Sequence, residues 1–105
     1  MPFKAPTLFP ATARELAALG ERLRLARLRR GFAASTVAIR AGIARATLGR
    51  AERGDASVAL GTYARVLHVL GLDADISLLA KDDELGRKLQ DLALPDRRRA
   101  PRRRP

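Results

Sequence analysis

The chain has 105 residues, with 21 Lys or Arg, 11 Asp or Glu, one His, no Cys and no Trp, and a formal net charge of +10. This length suits a single domain. The lack of Cys excludes disulfides, thiolate nucleophiles and Cys-ligated zinc, and one His cannot form a His-rich metal site. No stretch has the roughly 20 apolar residues that span a bilayer, and no apolar signal core is present near the N-terminus. The composition therefore predicts a soluble cytoplasmic protein.

Positive charge is concentrated in two parts of the chain. Residues 14–53 carry ten Arg against three Glu, and residues 96–105 carry six Arg against one Asp. Residues 54–95 have the opposite sign, with seven acidic and four basic side chains. A surplus that served only solubility would be scattered, whereas a local surplus indicates a binding face or a tail. The basic first half therefore favours a polyanionic partner, with nucleic acid as the first candidate.

The composition predicts an all-α protein in four segments. Ala and Leu exceed a third of the residues, so helix propensity outweighs strand propensity. Prolines predict an extended arm over 1–11, after which a capping box of Thr12 and Glu15 begins a domain over 12–71. A helical extension over 72–94 is predicted to carry a dimer or partner surface. The Arg- and Pro-rich segment 95–105 is predicted to be a disordered basic tail.

Apolar residues at intervals of three and four predict the individual helices. The first helix ends at Gly31 and has an apolar face of Leu16, Leu19, Leu23 and Ala26. Two short helices follow, the first opening at Ala34 or Ser35 and the second running from about Ala44 to Arg53. The fourth helix ends at Gly71 and has an apolar stripe of Leu60, Tyr63, Ala64, Leu67 and Leu70. Residues 76–80 fit a helix or a strand, with helix favoured, and a further apolar stripe consists of Leu85, Leu89 and Leu92.

The segment 34–53 meets the requirements of a helix-turn-helix. Ala38 is small enough for two helices to approach closely, and Gly42 accepts left-handed backbone at the turn. The apolar positions that join the helices are Val37, Ala41, Ile43, Leu48 and Ala51. The same register places on the outer side of the second helix Arg45, Ala46, Gly49, Arg50 and Arg53. Because Arg can donate two hydrogen bonds to guanine in the major groove, this pattern predicts a DNA-reading helix.

Residues 20–71 resemble the lambda-repressor-like, Xre-type helix-turn-helix family, and the motif that carries the resemblance is GIARATLGRAERG at 42–54. With LGERLRLARLRRG before it and LGTYARVLHVLGL after it, the chain is similar to HipB-like antitoxins in particular. DDELGRKLQDLALP at 82–95 also resembles the C-terminal extension of that subgroup. The resemblance implies a lambda-repressor-like DNA-binding domain of five to six helices. It also implies a repressor, with a HipA-like kinase toxin as a candidate partner. Because one recognition helix contacts too few bases for high specificity, a homodimer on inverted-repeat DNA is expected.

The same resemblance implies roles for particular residues. Base-reading positions fall at Arg45, Ala46 and Arg50, with flanking DNA contacts at Ala44, Thr47 and Arg53. Arg27 and Glu52 fall where the family has a structural ion pair between the first and third helices. Three positions depart from the family pattern, because Ala34 replaces a Gln that contacts phosphate, Ala44 replaces a capping Ser or Thr, and Gly49 interrupts the recognition helix. Base recognition is therefore expected to depend on the arginines.

No catalytic constellation and no cofactor motif is evident, so the chain is expected to be neither an enzyme nor a cofactor or metal protein. His68 fits a helix surface, and the acidic run of Asp82, Asp83 and Glu84 fits a helix start better than a metal site. Three readings stay open. The chain is the autoregulating antitoxin of a toxin-antitoxin operon, a phage-like or housekeeping regulator without a toxin, or an interaction module that neutralises a partner enzyme.

Overall fold

Helices account for all of the regular secondary structure in the computed structural model, which describes the backbone of residues 7–99 and the side chains of residues 7–93. In chain order they are α1 Pro10–Arg29, α2 Ala34–Ala41, α3 Arg45–Glu52, α4 Leu60–Val69, a 3-10 helix Asp73–Leu78 and α5 Glu84–Arg99. No strand occurs between residues 7 and 99, so the predicted all-α class is confirmed. None of these helices is long and apolar enough to cross a membrane.

The first of two compact units ends at Ala74 and is built around α2, which packs against both α3 and α4, while α1 packs against α3. Its buried apolar side chains are Leu23, Ala26, Val37, Ala38, Ala41, Leu48, Ala51, Val58, Tyr63, Val66, Leu67 and Leu70. Because several of them are Ala, the short helices approach one another closely. No charged side chain is buried among the described residues. The core therefore fixes the inner side of α3 and leaves its other side to solvent.

Two glycines lie where α1 crosses the C-terminal end of α3. A Cβ atom on Gly20 would lie 2.7 Å from the carbonyl oxygen of Ala51. Gly54 has a φ of +70°, and a Cβ atom there would press against the Leu16 carbonyl. Backbone therefore meets backbone at this crossing, and glycine is required at both positions. From the sequence, Gly54 is only a helix terminator, and Gly20 is not distinguished from the rest of α1.

α1 begins at Pro10 rather than at Thr12. Phe9 is the N-cap residue and makes no side-chain capping hydrogen bond, so the predicted capping box of Thr12 and Glu15 is wrong. Proline suits the first helical position because its φ is already helical and its missing N–H would have no partner there. The predicted arm therefore ends at Phe9 instead of residue 11, and residues 1–6 of it lie outside the described range.

The apolar face of α4 differs from its prediction at one end. Tyr63, Val66 and Leu67 are buried, but Leu60 is 66% exposed because it is the first residue of the helix, a turn before the core contacts begin. The ambiguous segment 76–80 is not a strand, since the 3-10 helix covers its first three residues. The chain leaves that helix through Ala80, which has a φ of 57°.

The second compact unit begins at Asp75 and contains α5. α5 continues through Pro95 to Arg99, whereas the sequence predicts that regular structure ends before Pro95. A proline costs a helix one N–H donor, but the sequence after it includes three consecutive Arg, a residue type with high helix propensity. Residues 100–105 of the predicted disordered tail lie outside the described range.

Tyr63 joins α4 to the loop that follows α3. Its hydroxyl donates a 2.9 Å hydrogen bond to the carbonyl oxygen of Asp55, and the residue is only 3% exposed. Tyr63→Phe is expected to lower the free energy of unfolding by about 1 kcal/mol at neutral pH, because the Asp55 carbonyl loses this donor. Urea unfolding followed by circular dichroism measures the change, and equal midpoints for the two proteins would contradict it.

The same residue predicts how stability depends on alkaline pH. Burial, with a smaller contribution from the charge of Asp55, raises the pKa of Tyr63 above its ordinary value. The stabilisation is fully present below the unfolded pKa of about 10 and is lost as the pH rises through the folded pKa, because the unfolded chain releases its proton first. The difference in unfolding free energy between wild type and Tyr63→Phe should therefore shrink as the pH rises above the unfolded pKa of about 10. The chain has one Tyr and no Trp, so tyrosinate absorbance follows this titration without interference.

Candidate nucleic-acid interface

The join between α2 and α3 is a tight turn centred on Gly42. Gly42 adopts left-handed backbone with φ 71° and ψ 35°. The N–H of Gly42 donates to the carbonyl of Ile39 at 3.1 Å, and the N–H of Ile43 donates to the carbonyl of Ala38 at 3.0 Å. These two bonds satisfy carbonyls at the end of α2 and turn the chain sharply into α3. The left-handed glycine predicted for this turn is thus observed.

Arg65 supports the turn from α4. Its Nη1 donates a 3.2 Å hydrogen bond to the carbonyl oxygen of Ala41, at the last residue of α2. A cation at this point also opposes the negative end of the α2 dipole. From the sequence, Arg65 is only one of the four basic residues in the net acidic segment 54–95. Nothing in its local pattern reveals the contact, which depends on the packing of α4 against α2.

α3 carries the predicted DNA-contacting residues, and most of their side chains reach solvent. The exposed members are Ala44, Arg45, Ala46 and Arg53, and the half-buried members are Thr47, Gly49 and Arg50. The opposite side of α3 is held in the core by Leu48 and Ala51. The helix therefore presents a face on which arginines alternate with very small residues.

Two of the arginines lie along the surface of α3. Nη2 of Arg50 is 3.3 Å from the hydroxyl oxygen of Thr47, one turn earlier. Nη1 of Arg53 lies 3.5 Å from the place that a Cβ atom of Gly49 would occupy. The absence of a side chain at Gly49 therefore leaves the helix backbone accessible beside a guanidinium group. Both guanidinium groups keep N–H donors that no described protein acceptor uses.

A shallow hollow lies between the start of α2 and α3. Its lining combines three small residues, Ala34, Ala46 and Gly49, with larger side chains from Arg27, Arg45, Leu48 and Glu52. The three small residues leave the helix backbone open to a convex object such as a DNA backbone or base edge on their side of the hollow. The small side chain of Ala34 contributes to this shape. The hollow and the arginines together form the candidate interface.

A comparison with known families identifies this arrangement. The helix-turn-helix domain family matches residues 18–78, which is more than half of the chain. The chain belongs to the helix-turn-helix domain family. No curated protein sequence matches it. α2 and α3 are the two helices of the motif, and α3 occupies the position that is called the recognition helix in this DNA-binding class.

An ion pair ties the recognition helix to α1. Nε of Arg27 is 2.7 Å from Oε2 of Glu52, and Nη2 is 3.1 Å from Oε1. Nη1 of Arg27 also donates to the carbonyl oxygen of Phe32 at 3.0 Å. The hydrogen bond with Glu52 raises the pKa of Arg27, against the lowering effect of burial. With side chains only 13% and 10% exposed, the pair orients the C-terminal end of α3 in this helix-turn-helix domain.

The loop after the recognition helix is ordered by Asp55. One carboxylate oxygen, Oδ1, accepts 2.8 Å hydrogen bonds from both the backbone N–H and the hydroxyl of Ser57. These bonds, and to a smaller degree the charges of Arg50 and Arg53, lower the pKa of Asp55. Asp55 is not among the site residues predicted from the sequence, although Asp followed two positions later by Ser is a recognisable side-chain turn. The Asp55 side chain thus orders the loop that follows α3. It also lies close enough to Arg50 and Arg53 to feel their charges.

The remaining titratable candidates are not among the residues of this interface. His68 is exposed, and its Nδ1 is 3.4 Å from Oδ2 of Asp73. Asp82 pairs with Arg87 at 2.9 Å, and Oδ1 of Asp83 accepts the N–H of Gly86 at 3.0 Å, as a helix start requires. Within residues 7–93 no group of three His, Asp or Glu side chains is arranged to hold a metal ion.

Proposed function

We propose that this helix-turn-helix protein is a sequence-specific transcriptional repressor that binds an inverted-repeat operator as a homodimer. The observation that carries the proposal is the charge of the recognition helix. Arg45 and Arg50 lie in α3 and Arg53 follows it, and the one acidic residue of α3, Glu52, is neutralised by Arg27. The face offered to DNA therefore holds cationic and small residues without a repelling carboxylate.

The recognition helix supplies the donors that base reading needs. A guanidinium group can donate two parallel hydrogen bonds to O6 and N7 of guanine, which distinguishes a G·C pair from the others. Arg45 and Arg50 are proposed to read bases in this way, while Arg53, near the end of α3, contacts phosphate. Ala46 and Gly49 allow the helix backbone to enter the groove deeply. The operator half-site should accordingly contain guanines.

The helix starts of this domain are suited to phosphate. The N-cap residues of α2, α3 and α4 are Ala33, Ala44 and Ala59, and none of them makes a side-chain capping hydrogen bond. The first N–H groups of these helices therefore have no side-chain acceptor and carry the positive end of the helix dipole. Backbone N–H groups in this state bind phosphate oxygens readily. They replace the phosphate contact that Ala34 cannot make.

A dimer is proposed because one recognition helix reads too few bases for operator selectivity. Two copies related by a two-fold axis read an inverted repeat whose half-sites are about one helical turn apart. Each copy then contributes its own arginines, and the free energies of the two half-sites combine. The segment 72–94 is proposed as the dimer or partner surface.

Within this proposal the repressor is the antitoxin and autoregulator of a HipA-like toxin-antitoxin operon. The support is the resemblance of residues 82–95 to the C-terminal extension of HipB-like antitoxins, which lies outside the matched range of the helix-turn-helix family. A kinase-like reading frame beside the gene and co-purification of its product would support this role. A DNA-binding protein whose neighbouring frames encode no such kinase would instead be a regulator without a toxin.

The DNA-binding proposal is tested by selection from random duplexes. Purified full-length protein should enrich a guanine-containing inverted repeat, and footprinting on the selected duplex should protect two half-sites about one helical turn apart. A scrambled duplex of the same composition is the control. Enrichment of no sequence over the starting pool would reject sequence-specific repression, even if the protein bound DNA through charge alone.

The Arg-rich end makes a separate prediction about salt. Residues 97–104 contain six Arg, and all six lie beyond the described side chains. Deleting these residues should weaken binding to operator and scrambled DNA by the same factor and flatten the dependence of affinity on salt, because fewer phosphates are neutralised. Titrations by fluorescence anisotropy at several salt concentrations measure the slope. An unchanged slope would show that these arginines do not contact DNA.

A further inference from the structure

A second hollow lies between the end of α2 and α4, beside the turn into α3. It has a volume of about 270 Å³, and the residues that line this α2–α4 hollow are Arg40, Ala41, Ala64, Arg65 and His68. None of them lines the hollow at α3. The α2–α4 hollow therefore combines two guanidinium groups and one imidazole with two alanines, and its lining includes no acidic residue.

The backbone of α2 holds the guanidinium group of Arg65 in this hollow. Nη1 of Arg65 donates its 3.2 Å hydrogen bond to the carbonyl oxygen of Ala41, which itself lines the hollow. A guanidinium group has five N–H donors in one plane, so the remaining donors of Arg65 stay available to a ligand. Because the side chain is already fixed, it loses less conformational freedom when a ligand binds.

An aromatic ring restrains the second guanidinium group. Cζ of Arg40 lies over the ring of Phe32, 5.2 Å from its centroid, which is a cation–π distance. This contact does not use the N–H donors of Arg40, so they too can bind an anion. Among the described side chains, neither Arg40 nor Arg65 forms an ion pair with a carboxylate. Two positive charges therefore line one hollow without an anionic partner.

Two negative contributions oppose these charges, and both are weaker. Oδ2 of Asp73 is 3.4 Å from Nδ1 of His68, but both side chains are exposed and Asp73 does not line the hollow, so solvent screens its charge. The end of α2 carries a dipole charge of about −0.5, which the Arg65 hydrogen bond already offsets. The two guanidinium groups therefore decide the sign of the potential, and the hollow attracts anions.

We propose that the α2–α4 hollow binds a small phosphate monoester, with its phosphate group held by Arg40 and Arg65. Guanidinium groups match the geometry of phosphate oxygens, and a dianion balances two positive charges where a carboxylate balances one. The volume is near the lower limit of about 300 Å³ for ligand pockets, which favours a small molecule. The inference goes beyond the proposed repressor function and does not depend on DNA binding.

The imidazole of His68 provides a direct signal for this site, because the chain contains one His and that residue lines the hollow. Full-length protein is titrated with inorganic phosphate and with glycerol phosphate while the imidazole proton resonances are followed by NMR. A constant pH of about 7.5 keeps the ligands mainly dianionic, since the second pKa of a phosphate ester is about 6. Both ligands should shift the resonances saturably, whereas sodium chloride at the same ionic strength should not.

A pair of charge-matched variants tests the role of the guanidinium groups. Arg40→Gln should weaken glycerol phosphate binding roughly 10-fold, because one charged hydrogen-bonding partner of the phosphate is lost. It leaves the His68 signal and the Arg65 hydrogen bond in place. Arg22→Gln, at an exposed position of α1, removes the same charge elsewhere and should change the affinity by less than about twofold. Circular dichroism checks that both variants keep their helices.

A saturable shift that Arg40→Gln weakens and Arg22→Gln preserves supports the site. No saturable shift, or equal weakening by the two substitutions, shows at most a general attraction of anions and overturns it. If a scrambled duplex restores the phosphorus line width of free glycerol phosphate, the hollow takes a DNA phosphate, and the small-molecule ligand is overturned. Because the titration contains no operator, failure of the operator selection and failure of this site are distinguishable.

Discussion

Alanine at Arg45 or Arg50 is expected to lower affinity for the selected operator by roughly 5- to 150-fold per half-site, with little change in binding to scrambled DNA. Each guanidinium group that donates two hydrogen bonds to guanine contributes about 1 to 3 kcal/mol of discrimination. Removal of an arginine that only neutralises a phosphate, by contrast, weakens binding to every DNA sequence equally. Competition titrations with operator and scrambled duplexes therefore separate base reading from charge.

The control for these variants is Arg22→Ala, an exposed arginine of α1 outside the α3 face. It removes the same charge and should change the operator-to-scrambled ratio by less than about twofold. If Arg45→Ala and Arg50→Ala leave the footprint and the ratio unchanged, the assignment of base reading to α3 is refuted. If only one of them acts, the effective residue identifies which end of the recognition helix lies deeper in the groove.

Substitution of Gly20 by alanine is expected to have the largest effect on stability. The added Cβ atom would lie 2.7 Å from the Ala51 carbonyl oxygen and against the Gly54 backbone, so α1 and α3 must separate. Overpacking of this kind costs about 1 to 3 kcal/mol, and more where both neighbours are backbone that cannot rotate away. We expect a net loss of about 2 kcal/mol, after a gain of up to 1 kcal/mol in helix propensity.

Gly61 provides a matched control for this variant. It also lies within a helix, α4, but a Cβ atom there would meet nothing within 4 Å. Gly61→Ala should therefore stabilise the protein by about 0.5 to 1 kcal/mol, opposite in sign to Gly20→Ala. Urea unfolding of the two variants gives both values. Equal stabilisation by both substitutions would show that α1 and α3 do not meet through their backbones.

The crossing at Gly20 also connects stability to DNA binding. Glu52, whose backbone carbon would lie 2.8 Å from the added Cβ atom, is the residue that pairs with Arg27. A shift of α1 against α3 therefore strains the ion pair that orients the recognition helix. Gly20→Ala should accordingly weaken operator binding even at temperatures where the domain remains folded, and thermal unfolding in parallel identifies that range.

The helix-turn-helix of α2 and α3 was predictable because the residues that it requires lie close together in the sequence. The left-handed turn at Gly42, the buried positions Val37 and Leu48 and the outward arginines all follow from residue type and helical spacing within one segment. Amphipathic spacing indicates which side of a helix can be buried. In a helix-turn-helix, the side of the second helix that faces away from the core is the side available to DNA. The position of the candidate interface therefore required no long-range information.

The predictions that differ from the structure concern helix ends. Pro10 starts α1, where the sequence suggests Thr12, Leu60 is left exposed at the start of α4, and α5 continues to Arg99. Several residue types are acceptable at a helix terminus, and the energy differences between them are about 1 kcal/mol. Local sequence thus predicts that a helix exists more reliably than where it begins or ends.

By itself the sequence determined an all-α helix-turn-helix domain, its turn and the arginine-bearing face of α3. Only the tertiary structure decided which distant groups meet. The backbone crossing at Gly20 and Gly54, the Arg65 donor on the end of α2 and the Tyr63 bond to Asp55 each join residues from different elements. Such contacts depend on how the helices cross in three dimensions, and helical periodicity carries no information about the partner that a buried face will meet.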